Sequence, residues 1–130
     1  YNKGRARIFS SRQYNASQMT VLLNYLELLI TSRYHAGVLS IASQVPQVAL
    51  GHDRRLNDFY NELGLEEYFV EYTTPELHKV LRKCIDRLFS DANIIKGKLA
   101  VGYERHMVKS IRNRELLRAF VEKYGWKAKG

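Results

Sequence analysis

Two stretches decide the fold: Leu28-Leu29-Ile30-Thr31-Ser32-Arg33-Tyr34-His35-Ala36-Gly37 and Val45-Pro46-Gln47-Val48-Ala49-Leu50-Gly51-His52-Asp53-Arg54-Arg55. In the first, Leu28 to Thr31 is a short apolar run bounded by polar residues, the pattern of a strand in a parallel sheet covered on both faces. Gln47 to Leu50 is a second such strand. Between them Ala36 to Gln44 is small and compatible with a helix, and Val45-Pro46 ends it, because proline pushes the preceding residue out of the α region. After the second strand, Gly51 to Arg54 reads as a loop. Asp53 is placed to cap a helix whose apolar face is Leu56, Phe59, Tyr60 and Leu63, and Gly64 is placed to stop it. Strand, loop and helix therefore occur twice in succession. That repetition predicts parallel βαβ units with right-handed crossovers and ligand-binding loops at the carboxyl ends of the strands.

Working outward, Arg5 to Ser10 is β-prone and predicts a first strand. Asn15 and Gln18 form a capping pair for a helix from about Ala16 to Leu26, with Met19, Leu22, Leu23 and Leu26 at helical spacing. Downstream, Tyr68 to Tyr72 predicts a further strand. Thr74-Pro75-Glu76 then predicts a helix start with proline at its first position. Leu77, Val80, Leu81, Cys84, Ile85, Leu88 and Phe89 recur as one helical stripe. From Ile94 the chain reads as helical to Tyr124, weakened by Gly97 and Gly102, with a break expected near Ser110 to Asn113 and a stop at Gly125. The expectation is an α/β, Rossmann-like three-layer domain over residues 1–125, built on a parallel sheet of about four strands and ending in long helices, with residues 126–130 as a tail.

The 130 residues are one domain's worth, 45% hydrophobic and 26% charged, a composition that predicts a folded domain. They are short for an enzyme that must hold two large substrates. The longest apolar run is interrupted by Glu27, whereas a membrane span needs roughly 20 apolar residues; no transmembrane segment is expected, and the reading is cytoplasmic. The single cysteine, Cys84, falls in the apolar phase of a helix and predicts a buried, reduced thiol. A net charge of +8 fits a phosphorylated substrate, nucleic acid or a membrane surface without choosing among them.

The chemistry is concentrated in the loops that follow the two central strands. Arg33 and His35 lie between a strand end and a helix start, where backbone amides of Tyr34 to Gly37 favour an anion. A guanidinium grips a carboxylate or phosphate through two parallel bonds, and a histidine donates a proton near neutral pH. Ala36 and Gly37 allow close approach of a ligand or a neighbouring element. The second loop adds His52, Arg54 and Arg55. The pattern describes a site for a small dianion beside a general acid. No spacing of His, Cys and carboxylates suggests a metal site, and no nucleophile elbow is present.

Over Leu28 to Leu65 the chain resembles the polysaccharide pyruvyl transferase family. That family shows a strand, an Arg-Leu-His-Ala motif, a helix ending in Val-Pro, a second strand, an aromatic-Asp-x-Lys loop and a helix ending in Leu-Gly-Leu. Here Tyr34 stands at the motif's leucine, His52 at the aromatic position and Arg55 where the lysine would be. The resemblance implies the C-terminal domain of a two-domain enzyme of glycosyltransferase-B-like architecture, with the N-terminal domain absent from this stretch. It implies pyruvyl transfer from phosphoenolpyruvate, as donor substrate and without a cofactor, to hydroxyls of a polysaccharide or glycolipid sugar. His35 would be the acid and Arg33 the anion holder, with Tyr34, Ala36, His52, Arg54 and Arg55 lining the substrate. The location implied is cytoplasmic or peripheral at the inner face of a membrane. Two other expectations fit less of the sequence: a glycosyltransferase-B-type domain binding a nucleotide sugar, and a non-catalytic basic module binding nucleic acid through its C-terminal helix. Without an aromatic platform or a recognised nucleic-acid fold, no nucleic-acid partner is expected.

Overall fold

The computed structural model describes residue 4, residues 6–10 and residues 12–125. Their architecture is mixed α/β: a small parallel sheet carries most of the helices, and a long helix ends the chain. The strands are β1 (Leu29–Thr31), β2 (Gln47–Leu50) and β3 (Phe69–Val70), in the spatial order β1-β2-β3. All pairings are parallel, with Leu29 opposite Gln47 and Ala49 opposite Phe69. Gln47, Val48 and Ala49 in the central strand have no exposed surface. Successive side chains of a strand point to opposite faces, so both faces of β2 are covered. At the edge strand β1, Leu29 and Thr31 are buried while Ile30 is exposed, so only one face is sealed there.

The helices are α1 (Ala16–Asn24), α2 (Tyr34–Ser40), α3 (Arg54–Glu62), α4 (Leu77–Ser90) and α5 (Ala92–Tyr124). The predicted capping box of α1 is present in both directions, between the Asn15 side chain and the Gln18 amide and between the Gln18 side chain and the Asn15 amide. α2 starts earlier than the sequence suggested, at Tyr34. It tightens into a 3-10 turn over Ile41–Ser43 and is stopped by Gln44 in the left-handed region, φ 55°, just ahead of Val45-Pro46. α3 has the predicted cap: the Asp53 carboxylate accepts from the Arg55 amide at 2.8 Å and the Leu56 amide at 3.5 Å. Removing it as Asp53→Ala is expected to cost about 1 kcal/mol, read as a lower urea midpoint at unchanged slope. α2 and α3 pack together, and α4 packs on β2 and β3. The core between them includes Ile41, Val48, Leu56, Phe59, Tyr60, Leu88 and Leu99.

Several expectations are corrected. The described residues form three strands, not four. Residues 6–10 form no strand and are largely exposed, and Arg5 lies outside the described residues, as does the tail 126–130. β3 spans two residues because a 3-10 turn over Glu66–Tyr68 precedes it and a turn closed by Thr74 N–H donating to the Glu71 carbonyl follows at once. Pro75 lies in a separate turn after it, and α4 begins only at Leu77, with Glu76 as its cap in the left-handed region, φ 52°. Phe89 is 60% exposed and does not belong to the buried stripe, whereas Cys84 and Leu88 do. Burial pushes the Cys84 thiol above its ordinary range, so the thiol stays protonated and inert. α5 is one unbroken helix of 33 residues with no interruption at Ser110 to Asn113. Neither glycine nor proline occurs between Tyr103 and Tyr124 to break its hydrogen-bond ladder. Gly102 lets α5 lie directly on α3's end: a Cβ there would stand 2.1 Å from Leu63 Cδ2. No helix among the described residues is long and apolar enough to cross a membrane.

Candidate functional site

Because every strand pair is parallel, the segments after β1, β2 and β3 leave the sheet on one edge. The edge is compact. A Cβ on Gly51 would lie 3.7 Å from the Tyr72 hydroxyl and 3.9 Å from Ser32 Cβ, so the three exit segments meet there.

Arg33 caps α2 with extended backbone, φ −114° and ψ 127°. Its conformation is set by Thr31, whose Oγ1 accepts from the Arg33 amide at 3.0 Å and donates to the Arg33 carbonyl at 3.3 Å. Such a local hydroxyl bridge fixes the exit direction of the chain at the end of a strand. The side chains of Arg33 and His35 are both exposed on this edge. Tyr34 between them is half-buried. Its ring meets Phe59 edge-on at 5.7 Å and His35 edge-on at 5.5 Å. The Arg55 guanidinium lies 5.4 Å from the Tyr34 ring centre. Tyr34 therefore links the two loops, holding an imidazole from the first and a guanidinium from the second against one aromatic ring. Asp53 Oδ2 lies 3.7 Å from Arg55 and takes up part of that positive charge.

The remaining predicted residues separate from this group. His52 is exposed and stacks edge-on against Tyr72 at 5.6 Å, across the mouth of β2. Arg54 reaches along α3 to Asp58 at 4.0 Å and is almost fully exposed, an ordinary helix-surface pair of little energetic weight. Ala36 is half-buried, and its carbonyl accepts the Ser40 hydroxyl at 2.7 Å. Gly37 has a packing role: a Cβ there would lie 2.9 Å from Gln47 Oε1 and 3.6 Å from Phe59 Cε1, so the close approach is by the protein's own core. α2 has seven residues, too short to count on a helix dipole, so anion holding falls on side chains. Among the described residues no group of three or more His, Cys, Asp or Glu side chains is arranged to hold a metal ion.

Three participants went unread in the sequence. Thr31 sets the backbone of Arg33, Tyr72 walls His52, and Gln47 braces α2 from below. A threonine at the last strand position followed by a turn is a usable signal for the first. The other two depend on contacts between elements. His106 is partly buried, with its ring 5.4 Å edge-on to Phe59.

No family model, curated protein or solved structure matches this chain.

Proposed function

We propose that the chain is the phosphoenolpyruvate-binding part of an enzyme that transfers a pyruvyl group to sugar hydroxyls, the C-terminal Rossmann-like half of a glycosyltransferase-B-like architecture. The observation that carries the reading is the Tyr34 ring at the carboxyl edge of a parallel sheet, met by His35 on one side and by the Arg55 guanidinium on another, with exposed Arg33 next to it in sequence. Ligands of such sheets bind at that edge. The resemblance over Leu28 to Leu65 supplies the donor.

The donor carries a carboxylate and a phosphate on an enol carbon. Arg33 grips one anion through paired N–H bonds, and Arg55 adds a second positive charge nearby. Protonated His35 delivers its proton to the methylene carbon; the vinyl electrons form the new C–H bond and leave a cation at the neighbouring carbon, stabilised by oxygen. A sugar hydroxyl attacks that carbon and passes its proton to the His35 imidazole, left neutral by the first step. A second hydroxyl of the acceptor then attacks the same carbon as the bond from that carbon to the phosphate oxygen breaks; the phosphate leaves with the electron pair and takes up this hydroxyl's proton, giving the cyclic ketal and free phosphate. The guanidinium stabilises the negative charge on the leaving phosphate. The acceptor is held by the other domain.

Thermal unfolding of this chain with candidate donors tests the reading. Phosphoenolpyruvate at a hundred times its dissociation constant should stabilise by about 2.7 kcal/mol, whereas UDP- and GDP-sugars should have no effect. Stabilisation by the nucleotide sugars alone would replace the pyruvyl donor with a glycosyl donor. Absence of any shift with phosphoenolpyruvate would remove the proposal.

A further inference from the structure

The central strand opens with a residue that its position does not favour. Gln47 is wholly buried between β2 and the α2–α3 pair, and both ends of its amide are engaged. Nε2 donates to the Gly37 carbonyl at 3.2 Å, and Oε1 accepts from the Tyr60 hydroxyl at 2.9 Å. Gly37 is among the last residues of α2, whose carbonyls have no partner within the helix; the Ile41 amide goes to the Val38 carbonyl instead. Tyr60 is itself fully buried, and burial raises its phenol, so it remains a protonated donor. Leucine at position 47 with phenylalanine at position 60 would fill a similar volume and leave one polar group, the Gly37 carbonyl, without its donor. The net stability of such buried hydrogen bonds over an apolar filling is modest, and what they add is direction.

Direction matters at this point of the fold. Gly37 lies two residues beyond His35 in the same short helix and four beyond its cap, Arg33. No side chain caps α2 itself: Thr31 fixes the backbone of Arg33 where the chain enters it and the Val45 amide holds the Ser40 carbonyl at its far end, while between these ends Tyr34 and Val38 are apolar contacts that tolerate rotation and sliding. Hydrogen bonds do not tolerate them, because they weaken steeply with angle. We propose that Gln47 is a positioning residue: the Tyr60–Gln47–Gly37 chain fixes the height and rotation of α2 on the sheet, and through it the places of Arg33 and His35. The functional weight of this device rests on the reading of those two side chains as the donor-binding pair.

The test compares Gln47→Leu with Leu88→Ala, a core change on α4 outside the hydrogen-bonded chain. Backbone amide signals of Arg33 to Gly37 and the His35 ring signals are followed by NMR without ligand, and phosphoenolpyruvate is then titrated in. In Gln47→Leu the His35 ring signals and the amides should shift and broaden, and affinity should fall roughly ten- to a hundredfold. Leu88→Ala should lose stability yet leave both unchanged. If Gln47→Leu leaves the ligand-free signals no more altered than Leu88→Ala does, the positioning role is overturned. If those signals move but the unaltered chain binds no phosphoenolpyruvate, Gln47 still sets α2 and it is the donor reading that falls. Should Gln47→Leu fail to fold, Tyr60→Phe breaks one link of the chain, and the same two outcomes decide the matter.

Discussion

Tyr60→Ala is expected to lower folding stability by about 5 kcal/mol, a large part of what a domain of this size possesses. Two terms add. Truncating a fully buried aromatic leaves a cavity worth roughly 3–5 kcal/mol, and Gln47 Oε1 loses its donor in a place water does not reach, at about 1–3 kcal/mol. A fall in melting temperature of roughly 15–20 °C follows, or no cooperative transition at all. Tyr60→Phe keeps the ring and should cost only the second part. A loss below 2 kcal/mol for the alanine variant would show that the core closes around the gap. Tyr60 also makes the fold sensitive to alkali. Burial raises its phenol above the ordinary value of 10.0. The stabilisation is complete below that value and is lost as pH climbs past it, because the unfolded chain releases the proton while the folded chain retains it. Tyr60→Phe should flatten this alkaline decline, leaving the smaller part due to Tyr68, whose phenol burial also raises.

The second large effect concerns chemistry. On the proposed reading, His35→Ala in the two-domain enzyme is expected to reduce kcat by roughly 10²–10⁴-fold, the range for loss of a general acid. Because His35 is exposed, its removal should move stability by no more than about 0.5 kcal/mol. Arg33→Lys keeps the charge and loses the paired N–H geometry, so it should raise KM for the donor more than it lowers kcat. Phosphate release with a panel of sugar acceptors measures both variants. Wild-type turnover by His35→Ala, with the fold intact, would remove the imidazole from the reaction.

What could be read from the sequence follows from how local each signal is. The Leu28 to Thr31 and Gln47 to Leu50 runs are continuous, apolar and bounded by polar residues, and both became strands of a parallel sheet. The placement of Arg33, His35 and His52 on one edge follows from that parallelism alone. The caps of α1 and α3 are contacts within three residues, and both hold. Failures begin where distant contacts decide. Residues 6–10 have strand propensity but no neighbouring strand to pair with. Pro75 has the right residue type for a helix start, but the left-handed backbone of Glu76 sets the start of α4 after it. Gln47 reads as a polar residue in an apolar strand, and only the tertiary fold brings Tyr60 and Gly37 to its two ends. The pairing of Tyr34 with Arg55 likewise joins two loops separated by a whole βα unit, which no local pattern encodes.

The long α5 carries a consequence for how this protein would be seen to melt. It rests on α3 near Gly102 and His106, with Lys109 3.9 Å from Glu62, while every residue from Met107 to Gly125 is exposed. A helical segment that owes nothing to packing obeys helix–coil statistics and unwinds gradually from its free end, whereas the sheet and its helices come apart together. Circular dichroism at 222 nm should therefore slope downward well before the aromatic near-ultraviolet bands move. Two spectroscopic probes of one chain would then give two midpoints, and the later one would belong to the core.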